Sequence, residues 1–449
     1  SSNERPQRKE RNMTAREAAF LSLQKYRGSG KYSNIELSGS IERLGLEGAE
    51  KALYTALFYG VIEREITLDY FISRLSERRV DDIDRDVRTI LELGIYQLEY
   101  MDKIPESAAV NESVKLARRF YARKNSEAFI NAVLRSFIRE RKNISLPKKE
   151  DNYIKYLSVC YSLPEWICSL WCDAYGKARA EKAAAGTLCH PTMTLRANTL
   201  KISRDDLVQR LTAAGIPCVP CKGAACGIRL SNHVPLDKLA EFDGLYFVQD
   251  EASQIAVSAL GAKRGETVLD MCACPGGKSF GIAMGMENEG RILAFDLHKN
   301  KLSLIERAAE KLGIGIIETG ENNASVYRED MPAADRILCD VPCSGLGVIA
   351  KKPDIKYKNR EDIERLPSLQ KKILETSARY LRVGGTLVYS TCTLSPAENK
   401  NIVSAFLSEN ADFELCTFRA GGAECAGMLE LIPGETTDGF FIAKMKKVK

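Results

Sequence analysis

From Thr14 to about Arg141 the apolar positions recur at intervals of three and four, in runs such as AAFLSLQKY, KALYTALFYGVI, VRTILELGIYQLEYM and AFINAVLRSFI. That spacing puts the apolar side chains on one helix face, so an all-helical bundle is predicted over residues 1–143. The charged, proline-containing segment RKNISLPKKEDN introduces a linker, placed at 144–158. From about Tyr153 to Phe247 the two periods mix: LPEWICSLWCDAYGKA reads as helix, TMTLRANTL as strand, and Ser203 is placed to cap a helix over DDLVQRLTAAGI. With GIRL and GLYFVQD as further strands, residues 159–245 are predicted to form a small α/β module. Beyond Gly265 the pattern is regular. TVLDM, ILAFD, RILCD and TLVYS read as strands separated by helices, and this alternation predicts a parallel, doubly wound α/β sheet in a domain over 246–449. The closing DGFFIAKMKK reads as an edge strand.

A chain of 449 residues exceeds one core, in keeping with several domains. Lys and Arg total 65 against 60 Asp and Glu, and where the charge lies tells more than its sum. Between Lys115 and Lys149 there are eleven Lys or Arg and two Glu. Lys115, Arg118 and Arg119 share one helix face and Arg135 and Arg139 another, either a solvated surface or a phosphate-binding one. The first residues have no apolar core of signal-peptide type and no segment reaches the apolar length of a membrane span, so a soluble cytoplasmic protein is expected. In that setting the fourteen cysteines read as reduced thiols. Cys218, Cys221, Cys226 and His233 come nearest to a metal-site spacing but lack a second Cys pair, so no metal is expected.

Ligands of doubly wound sheets bind at the carboxyl ends of the strands. There Asp270 ends one strand, Pro275 breaks the chain, and Gly276 and Gly277 allow close approach of a ligand before a helix begins. Asp296 ends the next strand, twenty positions after Gly276, and an acid there suits a ribose diol. A nucleoside-containing cofactor is therefore implied. GGKS is not a phosphate loop, because the earlier glycine of that motif would have to stand at Cys272. Two further strand ends, DVPCSGLG and YSTC, deliver Asp340 with Cys343, and Cys392.

Two thiols and a carboxylate beside a nucleoside cofactor suit one reaction in particular. Carbon 5 of cytosine is a poor nucleophile until a thiolate adds at carbon 6, which turns the ring into an enamine able to attack an electrophilic methyl group. A carboxyl at the polar edge of the base stabilises the charge that develops. Either thiol suits the nucleophile's place on these grounds.

DMCACPGGKS, DVPCSGLG and YSTCTLSPAEN, in this order, closely resemble the S-adenosylmethionine-dependent RNA cytosine carbon-5 methyltransferases of the Nop2/Sun type. AAVNESVKLARRF and FINAVLR resemble the NusB-type RNA-binding domain, a pairing typical of the bacterial small-subunit ribosomal RNA enzymes of this family. The resemblance covers the chain after its first dozen residues. It implies a NusB-like bundle, a small α/β RNA-binding module and a Rossmann-like class I methyltransferase domain, with S-adenosyl-L-methionine as cofactor.

It further implies Cys392 as nucleophile, Cys343 in release of the covalent adduct, Asp340 against the target base, and Lys278 beside them. Cys272, Ala273, Cys274, Pro275, Gly276, Gly277 and Lys278 correspond to the cofactor loop, Asp296 to the ribose acid, and Val248–Gln254 to the segment closing over the methionine end. Lys301, Asp340 and Asn323 complete the implied cofactor set. Asn323 stands where an Asp near the adenine is usual, Cys274 where Ala is, and Leu346 where Thr or Ala is. Arg196 and Asn198 fall at polar positions of the RNA-binding module. The target cytosine must be unpaired or flipped out, and Lys351, Lys352, Lys356 and Lys358 are expected near its flanking phosphates, with Arg118, Arg119 and Arg135 extending the footprint. Small-subunit ribosomal RNA is the expected partner of a monomer. Transfer RNA or DNA as substrate, or a non-catalytic RNA-binding assembly factor, are the alternatives.

Overall fold

A computed structural model describes residues 13–29, 33–121, 125–190, 192–231, 234 and 236–449, and divides them between two compact units. His233, Arg123 and Lys124 lie outside the described residues.

The first unit takes the chain as far as Asp173, together with Lys352–Tyr357. It is helical: Ala15–Ser29, Ser33–Leu44, Gly48–Ser76, Arg85–Tyr100, Glu106–Phe120 and Ser126–Glu140 are followed by Tyr153–Tyr161 and the greater part of Glu165–Tyr175. Local chemistry sets the ends, since the Asp84 side chain accepts from Asp86 N and that of Asn152 from Lys155 N at two helix starts. Phe20, Tyr54, Phe58, Leu91 and Phe137 fill the core. Gly60 lets the long helix approach its neighbour, because a Cβ there would come within 2.0 Å of the Tyr96 ring.

Glu65, Asp69 and Glu92 form the one group of acids in the described residues dense enough to suggest a cation. They are neutralised from within: Arg27 reaches Glu92 at 2.8 Å and Glu65 at 3.2 Å, and Arg88 reaches all three.

Lys356 departs from the phosphate-facing reading. It is 1% exposed inside the helical unit and donates to Glu63 O at 2.6 Å and Ser162 O at 2.7 Å. Burial pulls its ammonium down to about 7. A base lowered on folding loses stability as pH falls, since the unfolded chain binds the proton more tightly; the affected window runs from about 10.5 down to about 7. Between pH 9.5 and pH 7 the wild type should therefore lose about 3 kcal/mol relative to Lys356→Met, each pKa unit being worth about 1.4 kcal/mol. Urea unfolding of both proteins at the two pH values checks this; parallel curves would show that the lysine stays charged.

The second unit holds Ala174–Lys351 and Lys358–Lys449. Its small sheet runs β2 (Cys218–Pro220), β3 (Gly227–Leu230), β1 (Thr194–Ala197), β4 (Tyr246–Val248), with every pair antiparallel. The helix Arg204–Ala213 belongs with it, and Ser203 accepts from Asp206 N at its start, as its cap position predicts.

The large sheet has eight strands: β5 (Thr267–Asp270), β6 (Arg291–Asp296), β7 (Ile317–Glu321), β8 (Ala334–Asp340), β9 (Leu381–Thr391), β10 (Phe413–Leu415), β13 (Met428–Leu431) and β14 (Phe440–Lys447). A separate hairpin, β11 (Phe418–Ala420) with β12 (Ala423–Cys425), lies in the sequence between them. The order is β10-β14-β9-β8-β5-β6-β7, with β13 also on β14. Neighbouring strands from β7 across to β9 are parallel. Helices carrying Ile255, Phe280 and Ile305 pack into one apolar cluster and those carrying Ile373, Leu374 and Phe406 into another, which makes the sheet doubly wound.

The C-terminal strand is not an edge. β14 lies between β9 and β10, antiparallel to both, and Phe440, Phe441, Ile442 and Ala443 are consecutively buried, the signature of an interior strand. Lys444, Lys446 and Lys447 lie within β14 and are paired in the sheet.

Candidate active site

The parallel pairing of β5, β8 and β9 brings together residues far apart in sequence at the carboxyl ends of three adjacent strands. Asp340 ends β8. Its Oδ2 accepts from Lys278 Nζ at 2.6 Å and its Oδ1 from Ser390 Oγ, at the end of β9, at 2.7 Å. Just beyond, Cys343 and Cys392 place their sulfurs 3.3 Å apart. This separation needs two close backbone approaches: a Cβ on Gly347 would come 2.0 Å from Gly439 O and 2.9 Å from Cys392 O, and Gly347 N donates to Cys392 O at 3.0 Å.

The two thiols are electrically unlike. The hydrogen bond from Cys343 outweighs burial and holds Cys392 below the ordinary thiol value, with Asp340 opposing and Lys278 favouring the lowered value. Cys343 is pushed well up by serving as that donor, by burial, and by the neighbouring charge of Glu398. Burial opposes the Lys278 ammonium, yet Asp340 more than compensates and keeps it above its usual value. The arrangement therefore favours a Cys392 thiolate, with Cys343 as its S–H donor.

The first turn is shaped as its residues predict. Gly276 has φ +106°, and a Cβ there would meet the Phe280 ring at 2.5 Å. Ala273 N donates to Phe295 O at 2.7 Å, tying the turn to β6, and Cys274 Sγ donates to Lys301 O at 3.5 Å. Gly277 opens the helix Gly277–Gly285. Beneath, Asp270 accepts from Ser279 Oγ at 2.6 Å and burial raises it to about 7, while burial lifts the Cys272 thiol well above its usual range. Asp296 ends β6 and one of its oxygens accepts from His298 N at 2.9 Å.

Two buried amides line this edge with unpaired atoms: Gln249 through Nε2, and Asn322 through both Nδ2 and Oδ1. Gln249 Nε2 lies 3.6 Å from where a Gly277 Cβ would stand. The amide at the end of β7 is thus Asn322 rather than Asn323, whose Oδ1 is occupied by Ser325 N and Oγ at 3.1 and 2.7 Å in an exposed turn. Adjacent asparagines share one composition signal, and only the strand's register separates them. A glycine cradle, a ribose-type acid and buried amide donors and acceptors together fit S-adenosyl-L-methionine.

Other expected site residues lie elsewhere. Arg196 is 5% exposed and donates to Gln249 Oε1 and Gly281 O, both at 3.3 Å. Asn198 is fully buried and ties Gly244 O and Leu312 O at 2.9 and 2.8 Å. Both are interior braces, not RNA-facing groups. Lys351 is bound by Asp250 at 2.8 Å and Asp438 at 2.7 Å, which neutralises it for phosphate contact, and Lys358 donates to Ser344 O at 3.0 Å. Lys352 is exposed. Arg118, Arg119 and Arg135 are exposed on their helices but engaged by Glu127, Glu17 and Asn131. Of the cysteines near His233, Cys221 is buried and raised to about 12. Among the described residues no helix is long and apolar enough to cross a membrane.

A doubly wound sheet with a glycine cradle after its first strand, an acid after its second and reactive side chains after its fourth and fifth defines a Rossmann-like methyltransferase. The sequence matches the models of 16S rRNA methyltransferase RsmB/F over 257–446, of the NusB family over 13–139, and of the RsmF/B-like ferredoxin-like domain over 163–237. It is 37% identical to a Bacillus subtilis protein named "Probable ribosomal RNA small subunit methyltransferase B", over 97% of this chain and 99% of that one. It is 35% identical to ribosomal RNA small subunit methyltransferase B of Escherichia coli, over 89% and 91%. The crystal structure of PH0851 shares the fold at TM-score 0.77 over 96% of this chain and 98% of that one, at 24% identity. A methyltransferase homolog from Pyrococcus horikoshii gives TM-score 0.59 at 30% identity, covering 66% of this chain and all of that one. The chain belongs to the RsmB/F family of 16S ribosomal RNA methyltransferases.

Proposed function

We propose that the protein methylates carbon 5 of a cytosine in small-subunit ribosomal RNA, with Cys392 as nucleophile. The observation carrying this is the 3.3 Å pairing of Cys392 with Cys343 beside the Lys278–Asp340 ion pair. The Cys392 thiolate adds to carbon 6, and the carbon 5–carbon 6 electron pair becomes nucleophilic at carbon 5. S-adenosyl-L-methionine, when bound, supplies the electrophilic methyl group. Asp340 accepts from the amino edge of the base, orienting the ring over Cys392. Water then takes the carbon 5 proton, the electrons of that carbon–hydrogen bond restore the carbon 5–carbon 6 double bond, and Cys392 leaves as a thiolate that again accepts the Cys343 S–H hydrogen bond.

Asp296 is assigned the ribose diol, the helix start at Gly277 with Gln249 the methionine end, and Asn322 the adenine edge. The Asn322 amide offers both a donor and an acceptor, matching the amino group and ring nitrogen of adenine. Asn322→Ala should raise the KM for the cofactor about tenfold, the worth of one to two hydrogen bonds, with kcat nearly unchanged. Titrating cofactor at saturating RNA checks this, and an unchanged KM would remove Asn322 from the site.

The substrate is tested by nucleoside analysis of small-subunit ribosomal RNA from cells with and without the protein. A 5-methylcytidine lost with the protein supports the reading. Loss of a different methylated nucleoside, or of one in transfer RNA, would replace it.

A further inference from the structure

The motif YSTCTLSPAEN ends in two residues that the mechanism has not used, Glu398 and Asn399, and both are buried: 1% and 0% exposed. Each is bonded to the immediate neighbours of one catalytic thiol. Glu398 Oε2 accepts from Ser344 N at 2.9 Å and from Gln370 Nε2 at 2.9 Å, and its Oε1 accepts from Ser344 Oγ at 2.6 Å. Gln370 Nε2 also donates to Pro342 O at 2.9 Å. The residues on both sides of Cys343 are thus fixed with reference to one carboxylate. Asn399 does the same for Cys392: its Oδ1 accepts from Thr391 Oγ1 at 2.5 Å and its Nδ2 donates to Thr393 O at 2.9 Å. A cross-tie closes the arrangement, since the hydroxyls of Ser344 and Thr393 lie 2.6 Å apart and Ser344 donates onward to Glu398. The base of the clamp is anchored by Tyr389, whose hydroxyl donates to Glu398 O at 2.6 Å.

We propose that Glu398 and Asn399 are positioning residues that hold the two thiols in contact, and that Glu398 decides which of them is the nucleophile. This rests on the assignment of Cys392 and Cys343 above and adds the reason for their inequality. Both sulfurs sit at the end of the same sheet and are equally sheltered, so burial alone does not rank them. Their mutual hydrogen bond does first, and the charged neighbours of each differ. Glu398 opposes ionisation of Cys343, whereas at Cys392 the Lys278 ammonium favours ionisation against the carboxylates of Asp340 and Asp438; among the described residues no cation offsets Glu398 at Cys343. Glu398 keeps the proton on Cys343, and a protonated Cys343 is the hydrogen-bond donor that the Cys392 thiolate needs. Asn399 carries no charge and supplies geometry only, so the two residues separate the electrostatic part of the clamp from the mechanical part.

The test uses the full-length protein without RNA or cofactor, so that its outcome is independent of which atom of which base is methylated. Each variant is alkylated with iodoacetamide across a pH series, and the rates at Cys343 and Cys392 are read separately by peptide mass spectrometry, with circular dichroism as the check on folding. In the wild type at pH 7, Cys392 should react at least about tenfold faster than Cys343, a difference of one pKa unit or more. Glu398→Gln should bring the two rates to within about threefold and move the Cys343 profile to lower pH, while Glu398→Asp, which keeps the charge, restores most of the preference. Asn399→Ala should change the absolute alkylation rate at Cys392 and leave the order of the two thiols intact. A folded Glu398→Gln with an undiminished preference for Cys392 overturns the proposal. If that variant does not fold, Ser344→Ala cuts the hydroxyl tie to both the carboxylate and Thr393; an unaltered rate ratio there overturns it equally.

Discussion

Replacing Cys392 with Ala should lower methyl transfer by at least about 10⁴-fold, the scale of losing a nucleophile, and no covalent protein–RNA species should form. Replacing Cys343 with Ala should have the opposite appearance. The adduct still forms, more slowly because Cys392 has lost its S–H donor, with Lys278 kept to favour the thiolate, but release is slower still and the protein runs as a shifted band with its RNA on denaturing gels. The difference follows from the site's asymmetry, in which two sulfurs 3.3 Å apart share one proton and only one of them faces a cation. An adduct that persists without Cys392 and never accumulates without Cys343 would reverse the roles.

The second large effect is expected at Lys278. Its ammonium lies 2.6 Å from Asp340 Oδ2 and also favours the Cys392 thiolate, so one buried cation serves the group that grips the base and the group that attacks it. Lys278→Met keeps the length and apolar packing of the side chain and removes the charge. The Asp340 carboxylate then stands uncompensated beside Cys392, and the thiol should ionise at higher pH. Methyl transfer at pH 7 should fall about 10² to 10³-fold, the scale of losing one preorganised charge, with partial recovery as the pH is raised. The pH profile of single-turnover methylation is the measurement. A loss of equal size at every pH would assign Lys278 to cofactor binding alone.

Much of this site was legible in the sequence because its residues sit at strand ends announced by local signals. An apolar run followed by Asp, Pro or Gly marks where a buried strand stops, and that pattern places Asp270, Asp296, Asp340, Cys343 and Cys392 at or just past strand ends. What failed was information carried by register and by tertiary partners. β7 has the mixed sequence IETGE, typical of an outermost strand, and only its register shows that Asn322, and not its neighbour Asn323, is the buried amide. Arg196 and Asn198 look like surface groups by residue type, yet the backbone carbonyls of Gly281, Gly244 and Leu312 supply the interior partners that make burial tolerable. Lys356 departs from its expected place for the same reason, since its two carbonyl partners come from residues 293 and 194 positions away. The antiparallel insertion of β14 between β9 and β10 is likewise a pairing decision, invisible to periodicity.

The most direct test of the central claim is to offer the wild-type protein an RNA substrate carrying 5-fluorocytidine at the target position, together with S-adenosyl-L-methionine. Fluorine cannot leave carbon 5 as a proton does, so an enzyme that attacks carbon 6 is stopped after methyl transfer. The account predicts a stable cross-link, recovered by mass spectrometry on the peptide containing Cys392 and bearing both fluorine and the new methyl group. A cross-link on Cys343, or methylated fluorinated RNA released with no protein attached, would contradict it.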